Sequence, residues 1–173
     1  YLLDLMKKDK FNITTIELDH GEKIPDNLSS YHAMFCMGGP MDTWMEDQYP
    51  WLIEEKKKIK EFVVNLKKPY LGFCLGCQLL GEVLGGKVIK SIPSEIGILN
   101  IEMSKAKDND KLFSEYSDTI NALQWHSYEV SELDSNKNIT ILGSSKTTKY
   151  QIFKYMEHAY GIQFHIEIKD NTV

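Results

Sequence analysis

Two cysteines, Cys74 and Cys77, stand three positions apart in the run Pro69-Tyr-Leu-Gly-Phe-Cys-Leu-Gly-Cys-Gln-Leu-Leu80. Such a pair can be a redox couple, half of a metal site, or one reactive thiol beside a neighbour that merely packs. A zinc site needs two further ligands, and the chain has neither a second Cys-x-x-Cys nor a matching His-x-x-x-His. A redox pair opens a helix but makes no demand for glycine on both sides of its first thiol, and here Gly72 and Gly76 bracket Cys74. Placed between a short apolar strand and a helix, Gly-x-Cys-x-Gly reads as a nucleophile elbow. A sharp strand-to-helix turn holds the nucleophile in a strained backbone conformation, which requires small flanking residues. The positive end of the following helix, and any nearby imidazole, lower the thiol's pKa and supply the thiolate that attacks a carbonyl carbon. The backbone N–H of Leu75 can point at the resulting oxyanion. On this reading Cys77 is a small buried residue of the helix, although a thiol so near the nucleophile could join it in a disulfide under oxidation.

A thiol nucleophile needs a base, and the base needs a group that orients it. Of His20, His32, His126, His158 and His165, the last lies in Gly161-Ile-Gln-Phe-His-Ile-Glu167, at the end of a predicted strand and two residues before a carboxylate. Where the pleat stops, Glu167 can turn to hold one ring nitrogen while the other faces Cys74. Taken alone, His165 reads equally well as a structural histidine. The elbow makes it the favoured base.

The elements that must position these groups follow from periodicity and turn residues. Residues 1–8 form a helix with Leu2, Leu3, Leu5 and Met6 on one side. The β-branched run Phe11–Leu18 predicts a strand, and Ala33–Met37 a second, ended by Gly38-Gly39-Pro40. Pro50–Leu66 has helical spacing with proline at its start. Tyr70–Phe73 is a short apolar strand, and Gly76–Leu84 a helix closed by Gly85-Gly86. Later segments, Val88–Lys90, Gly97–Met103, Ile139–Leu142, Gln151–Tyr155 and Tyr160–Phe164, read as strands joined by turns. Continuous apolar strands fit a parallel sheet covered on both faces, so the order predicts an α/β core with an antiparallel extension.

Bulk properties exclude several classes. The chain has 173 residues, 42% of them hydrophobic and 26% charged, which suits one soluble globular domain spanning residues 1–173. A net charge of -5 leaves no basic surface for nucleic acid, and the lysines at 56–58 and 67–68 fit a solvated helix face. Three cysteines make no secreted disulfide framework, and the apolar runs are too short to span a bilayer. The first residues lack signal-peptide order, so a cytoplasmic protein without metal or cofactor is expected.

Beyond the Cys and His motifs, which lie roughly 90 residues apart, further segments carry a family resemblance. Gly72-Phe-Cys-Leu-Gly-Cys-Gln78 and Gln163-Phe-His-Ile-Glu167 resemble the signature segments of class I glutamine amidotransferases. Cys36-Met-Gly-Gly-Pro-Met41, Tyr49-Pro-Trp51, Ser94-Glu-Ile-Gly97 and Gln124-Trp-His-Ser127 resemble further segments of stand-alone domains related to the glutaminase part of GMP synthetase. The resemblance implies a flavodoxin-like three-layer sandwich with a mostly parallel central sheet and a small antiparallel extension. It implies Cys74 as nucleophile, His165 as general base and acid, and Glu167 as the orienting carboxylate. It further implies Gly39 and Leu75 as oxyanion donors, with Gln78, Ser127 and Tyr128 at the amino-acid end of the substrate. An ordinary strand explains Ser127 and Tyr128 equally well.

The implied reaction is hydrolysis of the glutamine side-chain amide through a cysteine thioester, with ammonia passed to a synthetase partner. The rival readings are a hydrolase of γ-glutamyl conjugates or another carboxamide on the same fold, and a non-catalytic binding module. Ile166 stands where the family commonly has proline, which loosens the turn between His165 and Glu167 without removing either group. The family also begins with a strand ahead of the first helix and ends with a final helix, and neither is expected in this chain.

Overall fold

A computed structural model describes residues 2–166. The chain begins with α1 (Leu2–Lys8), continues without regular structure to a single 3-10 turn at Leu18–His20, and enters β1 (Met34–Cys36). Helix α2 (Trp51–Lys60) runs on into a π-helical turn at Glu61–Asn65, followed by β2 (Tyr70–Phe73) and α3 (Leu75–Val83). Five strands follow: β3 (Lys87–Met103), β4 (Thr119–Ser131), β5 (Ile139–Ser144), β6 (Ile152–Tyr155) and β7 (Ala159–Ile162).

All seven strands join one sheet in the order β1-β2-β7-β6-β5-β3-β4. The α/β class holds, but the mostly parallel sheet does not. Only β1 with β2 and β2 with β7 pair in parallel, whereas β7–β6, β6–β5, β5–β3 and β3–β4 are antiparallel. A parallel pair needs a crossover, usually helical, and among the described residues α-helices separate strands only before β2 and before β3, with a 3-10 turn at Lys105–Asn109 between β3 and β4. The remaining strands return through turns. The expected antiparallel extension, with β3 of 17 residues and β4 of 13, is thus a large part of the sheet itself.

Phe11–Leu18, expected as a strand, pairs with nothing among the described residues and leaves most of its side chains exposed. A β-branched pattern makes a strand only where a neighbour completes its ladder.

The three-layer expectation also changes. Helices α2 and α3 cover one face, burying Leu52, Ile59, Val63, Leu79 and Leu80 against Tyr70, Val130 and Phe153. The opposite face buries Phe73, Ile101, Leu142, Ile152, Ile162 and Phe164 under Phe113 and Leu2, so a loop segment and α1 stand where a full helical layer was expected. No described helix is long and apolar enough to cross a membrane.

Candidate active site

The turn from β2 into α3 is as sharp as the glycine bracket demands. Cys74 adopts φ 48 and ψ -102, a region that side chains rarely enter, and such a conformation stores on the order of 1–3 kcal/mol. Its backbone is held from two directions: Cys74 N–H donates to Ile162 O at 2.9 Å, and Gln78 N–H donates to Cys74 O at 3.0 Å. A Cβ on Gly76 would lie 2.3 Å from Cys36 O, so β1 presses directly against the start of α3. Tyr70, buried below, donates its hydroxyl to Gly76 O at 2.8 Å. The elbow is therefore locked by strand, helix and side chain together, with the thiol at the end of α3 where backbone N–H groups lack helical partners.

The loop after β1 lies against this helix end. A Cβ on Gly39 would lie 3.2 Å from Leu75 Cδ2, so the loop that carries Gly39 packs on the Leu75 side chain. A clamp holds the loop. Lys56 of α2 donates to Thr43 O at 2.7 Å and to Glu46 at 2.8 Å, and it pairs with Glu82 of α3 at 2.8 Å. Thr43, fully buried, donates its hydroxyl to Glu82 Oε1 at 2.6 Å. Trp44 of the same loop meets Tyr128 of β4 edge to face, with ring centroids 4.7 Å apart.

The model of the class I glutamine amidotransferase family matches residues 2–172. The chain belongs to that family. It is 31% identical over 149 residues to one subunit of the glutamine-hydrolyzing GMP synthase of Sulfurisphaera tokodaii, covering 86% of this chain and 73% of that protein. It is 28% identical over 153 residues to gamma-glutamyl peptidase 3 of Arabidopsis thaliana, covering 84% of this chain and 59% of that protein. A glutamine amidotransferase of Thermotoga maritima has the same fold at TM-score 0.86 and 32% identity, over 96% of this chain and 70% of that one.

In this amidotransferase, Gln78 is buried one helical turn beyond Cys74, where its Nε2 donates to Tyr128 O at 3.0 Å and to Gln163 Oε1 at 3.3 Å. The backbone carbonyl can only accept, so the orientation of the Gln78 amide is fixed and its own oxygen is its remaining polar atom. Ser127 and Tyr128 do lie in a strand, β4, as the plainer reading allowed. Ser127 is exposed and accepts a hydrogen bond from the Ser94 hydroxyl at 3.1 Å.

His165 follows β7 and is half-buried. Its backbone N–H donates to Leu123 O on β4 at 2.9 Å, which ties the segment after β7 to the free edge of the sheet. Glu167 lies outside the described residues. Cys77 is fully buried over β7, its sulfur 3.0 Å from where a Gly161 Cβ would stand. Burial, with the Cys74 charge adding to it, pushes its thiol well above the usual range.

Three further polar residues of the site lie within the segments that carry the family resemblance, but the sequence assigns none of them a role. Gln163, fully buried, brings its Nε2 to 3.8 Å from Cys74 Sγ. Glu95 and His126 are cross-strand partners on β3 and β4, with 3.1 Å between Glu95 Oε2 and His126 Nε2. His126 Nδ1 lies 3.0 Å from the same Tyr128 O that Gln78 uses. Burial pushes the imidazole pKa down, against the attraction of Glu95. Burial also pushes the Glu95 carboxyl up, but hydrogen bonds from Ser145, Thr147 and Thr148 outweigh it and hold the group below its ordinary value. Glu95 and His126 stand 31 positions apart, and only the register of a long hairpin joins them.

Proposed function

We propose that this amidotransferase, acting as a single domain in the cytoplasm, hydrolyses the side-chain amide of glutamine and delivers the ammonia to a synthetase partner. The strained elbow carries the reading, because it holds Cys74 at the helix N-terminus with Gly39 beside Leu75. The Cys74 thiolate attacks the carboxamide carbon while the N–H groups of Leu75 and Gly39 receive the developing oxyanion. His165, oriented by Glu167, protonates the leaving nitrogen. The C–N bond breaks, ammonia departs and a glutamyl thioester remains. His165 then takes a proton from water, whose oxygen attacks the thioester, and glutamate leaves as the thiolate is restored. Gln78, with both amide hydrogens engaged by the protein, offers its oxygen to the substrate's α-ammonium. The Ser127–Tyr128 backbone completes the grip on the amino-acid end. A thiolate nucleophile works in a reducing compartment, which suits the cytoplasm. The likeness to one subunit of a glutamine-hydrolyzing synthase supports the ammonia acceptor as a separate protein.

The second reading, hydrolysis of γ-glutamyl conjugates, is favoured by the likeness to a gamma-glutamyl peptidase. One assay separates the two. Glutamate release from free glutamine, abolished in Cys74→Ala, supports the leading reading. Release from γ-glutamyl peptides with free glutamine untouched supports the second. Release from neither, with or without candidate synthetases, leaves a binding module.

A further inference from the structure

We propose that Gln163 is a further catalytic residue of this amidotransferase: its side-chain amide donates an N–H···S hydrogen bond to Cys74 and holds that sulfur as the attacking thiolate. The inference rests on the reading of Cys74 as nucleophile. The orientation of the amide is decided by a chain of contacts that begins at a backbone carbonyl. Tyr128 O can only accept, so the Gln78 atom facing it at 3.0 Å is the nitrogen. That nitrogen's second hydrogen meets Gln163 at 3.3 Å, so the Gln163 atom there is the oxygen. The other end of the Gln163 amide, 3.8 Å from Cys74 Sγ, is then the donor. The sulfur therefore faces a donor and not a second acceptor, and a donor favours the charged form of the group it meets.

Packing does not account for this amide. Gln163 is fully buried, and among the described residues its side chain hydrogen-bonds only Gln78 and Cys74. Burying an amide without full compensation is costly, and an apolar side chain would fill the same volume at lower cost. The surrounding backbone favours the contact. Gly161 and Gln163 project from the same face of the β7 segment. The missing side chain at Gly161 leaves room for the Phe153 ring and for Cys77 of α3, so α3 packs close over the segment that carries Gln163. Gln163 also touches Gln78, so the residue offered to the substrate's amino-acid end and the residue on the nucleophile share one hydrogen bond. A substrate drawing on Gln78 is thereby felt at the sulfur.

The test is the pH dependence of iodoacetamide alkylation at Cys74, with peptide mass mapping to separate it from Cys36 and Cys77. Wild type is compared with Gln163→Met, which keeps the volume and loses the donor, and with the isosteric Gln163→Glu. The alkylation midpoint is expected to rise by about one pH unit in the Met variant, and further in the Glu variant, whose carboxylate repels a thiolate. Unchanged midpoints in whichever variant folds, judged by circular dichroism, overturn the proposal. Alkylation needs no substrate, so the two readings fail separately. A shifted midpoint in a protein that hydrolyses no glutamine upholds the Gln163–Cys74 contact and sinks the glutamine reading. An unshifted midpoint in an active glutaminase sinks the contact alone.

Discussion

A Cβ on Gly72 would stand 2.4 Å from the carbonyl oxygen of Gly76, so the strand entering the elbow touches the helix leaving it through two residues without side chains. Alanine at Gly72 must push α3 away, because the atoms it meets are backbone and cannot rotate aside. The expected outcome is a loss of about 1–3 kcal/mol of stability and a fall of about a hundredfold in glutamine turnover from misplacing the thiol. Gly85, at the other end of α3, supplies the contrast. It has φ 95 with open space around it, so Gly85→Ala costs about 1 kcal/mol and leaves turnover unchanged. Urea denaturation and glutamate release measure both, and equal turnover in the two variants would show that the close approach does not position the thiol.

The elbow was legible because its constraints are local: glycines at fixed offsets from a cysteine mean one thing between a strand and a helix. The sheet was not legible in the same way. Ala159–Ile162 is buried at every position, and continuous burial looks alike whether the neighbours run parallel, as β2 does, or antiparallel, as β6 does. The Phe11–Leu18 run has the side chains of a strand but lacks the partner that would make it one. Gln163 stood in plain view two residues before His165. Its role depends on α3 settling over Gly161, a tertiary contact that spacing does not encode.

Lys56 binds three acceptors on two elements, Thr43 O and Glu46 on the loop that carries Gly39, and Glu82 on α3. Lys56→Met keeps the apolar stem and leaves Glu46 and Glu82 without their shared cation. The loop then loses its fixed distance to the helix and, on the proposed mechanism, the Gly39 N–H loses its aim. The expected outcome is a fall in kcat of about tenfold or more with KM little changed, since Gln78 and β4 are untouched. Lys57→Met, which removes an exposed pairing with Glu54 at 3.6 Å, should change neither. A rise in KM at constant kcat for Lys56→Met would place the clamp's effect on binding instead.

Glu55 of α2 lies beside Cys36 at the end of β1, and its Oε2 is buried with no hydrogen-bond partner among the described residues. Burial pushes its carboxyl up from its ordinary 4.5 to about 7, with Cys36 opposing. The folded protein therefore holds a proton that the unfolded chain has lost between these two values, and stability falls as pH rises through that window. Glu55→Gln removes the effect. The variant should match wild type near pH 4.5 and be more stable by up to about 3 kcal/mol at pH 8, as measured by urea denaturation at both pH values. A difference independent of pH would assign the change to packing and not to titration.

Asp110 and Lys154 form a buried ion pair on the face of the sheet away from α3, with 2.9 Å between Oδ2 and Nζ and side-chain exposures of 0% and 8%. The carboxylate also accepts from the Tyr160 hydroxyl at 3.2 Å and from the Leu112 N–H at 2.9 Å. Its hydrogen-bonding capacity is well used. Burial lowers the Lys154 pKa, but its bonds to Asp110 and Glu157 outweigh that and raise it. Removing Lys154 strands the Asp110 carboxylate in a poorly solvated place, so Lys154→Met should cost about 3–5 kcal/mol, and Asp110→Leu less, because Lys154 keeps its bond to the exposed Glu157. The double variant should cost clearly less than the sum, because it leaves no orphaned charge and replaces the pair with apolar volume. Urea denaturation of all four proteins gives the cycle, and strictly additive losses would mean that the two charges do not stabilise each other. Glutamine hydrolysis at 25 °C in each folded variant should stay near wild type, since the pair lies across the sheet from the α3 face that carries Cys74.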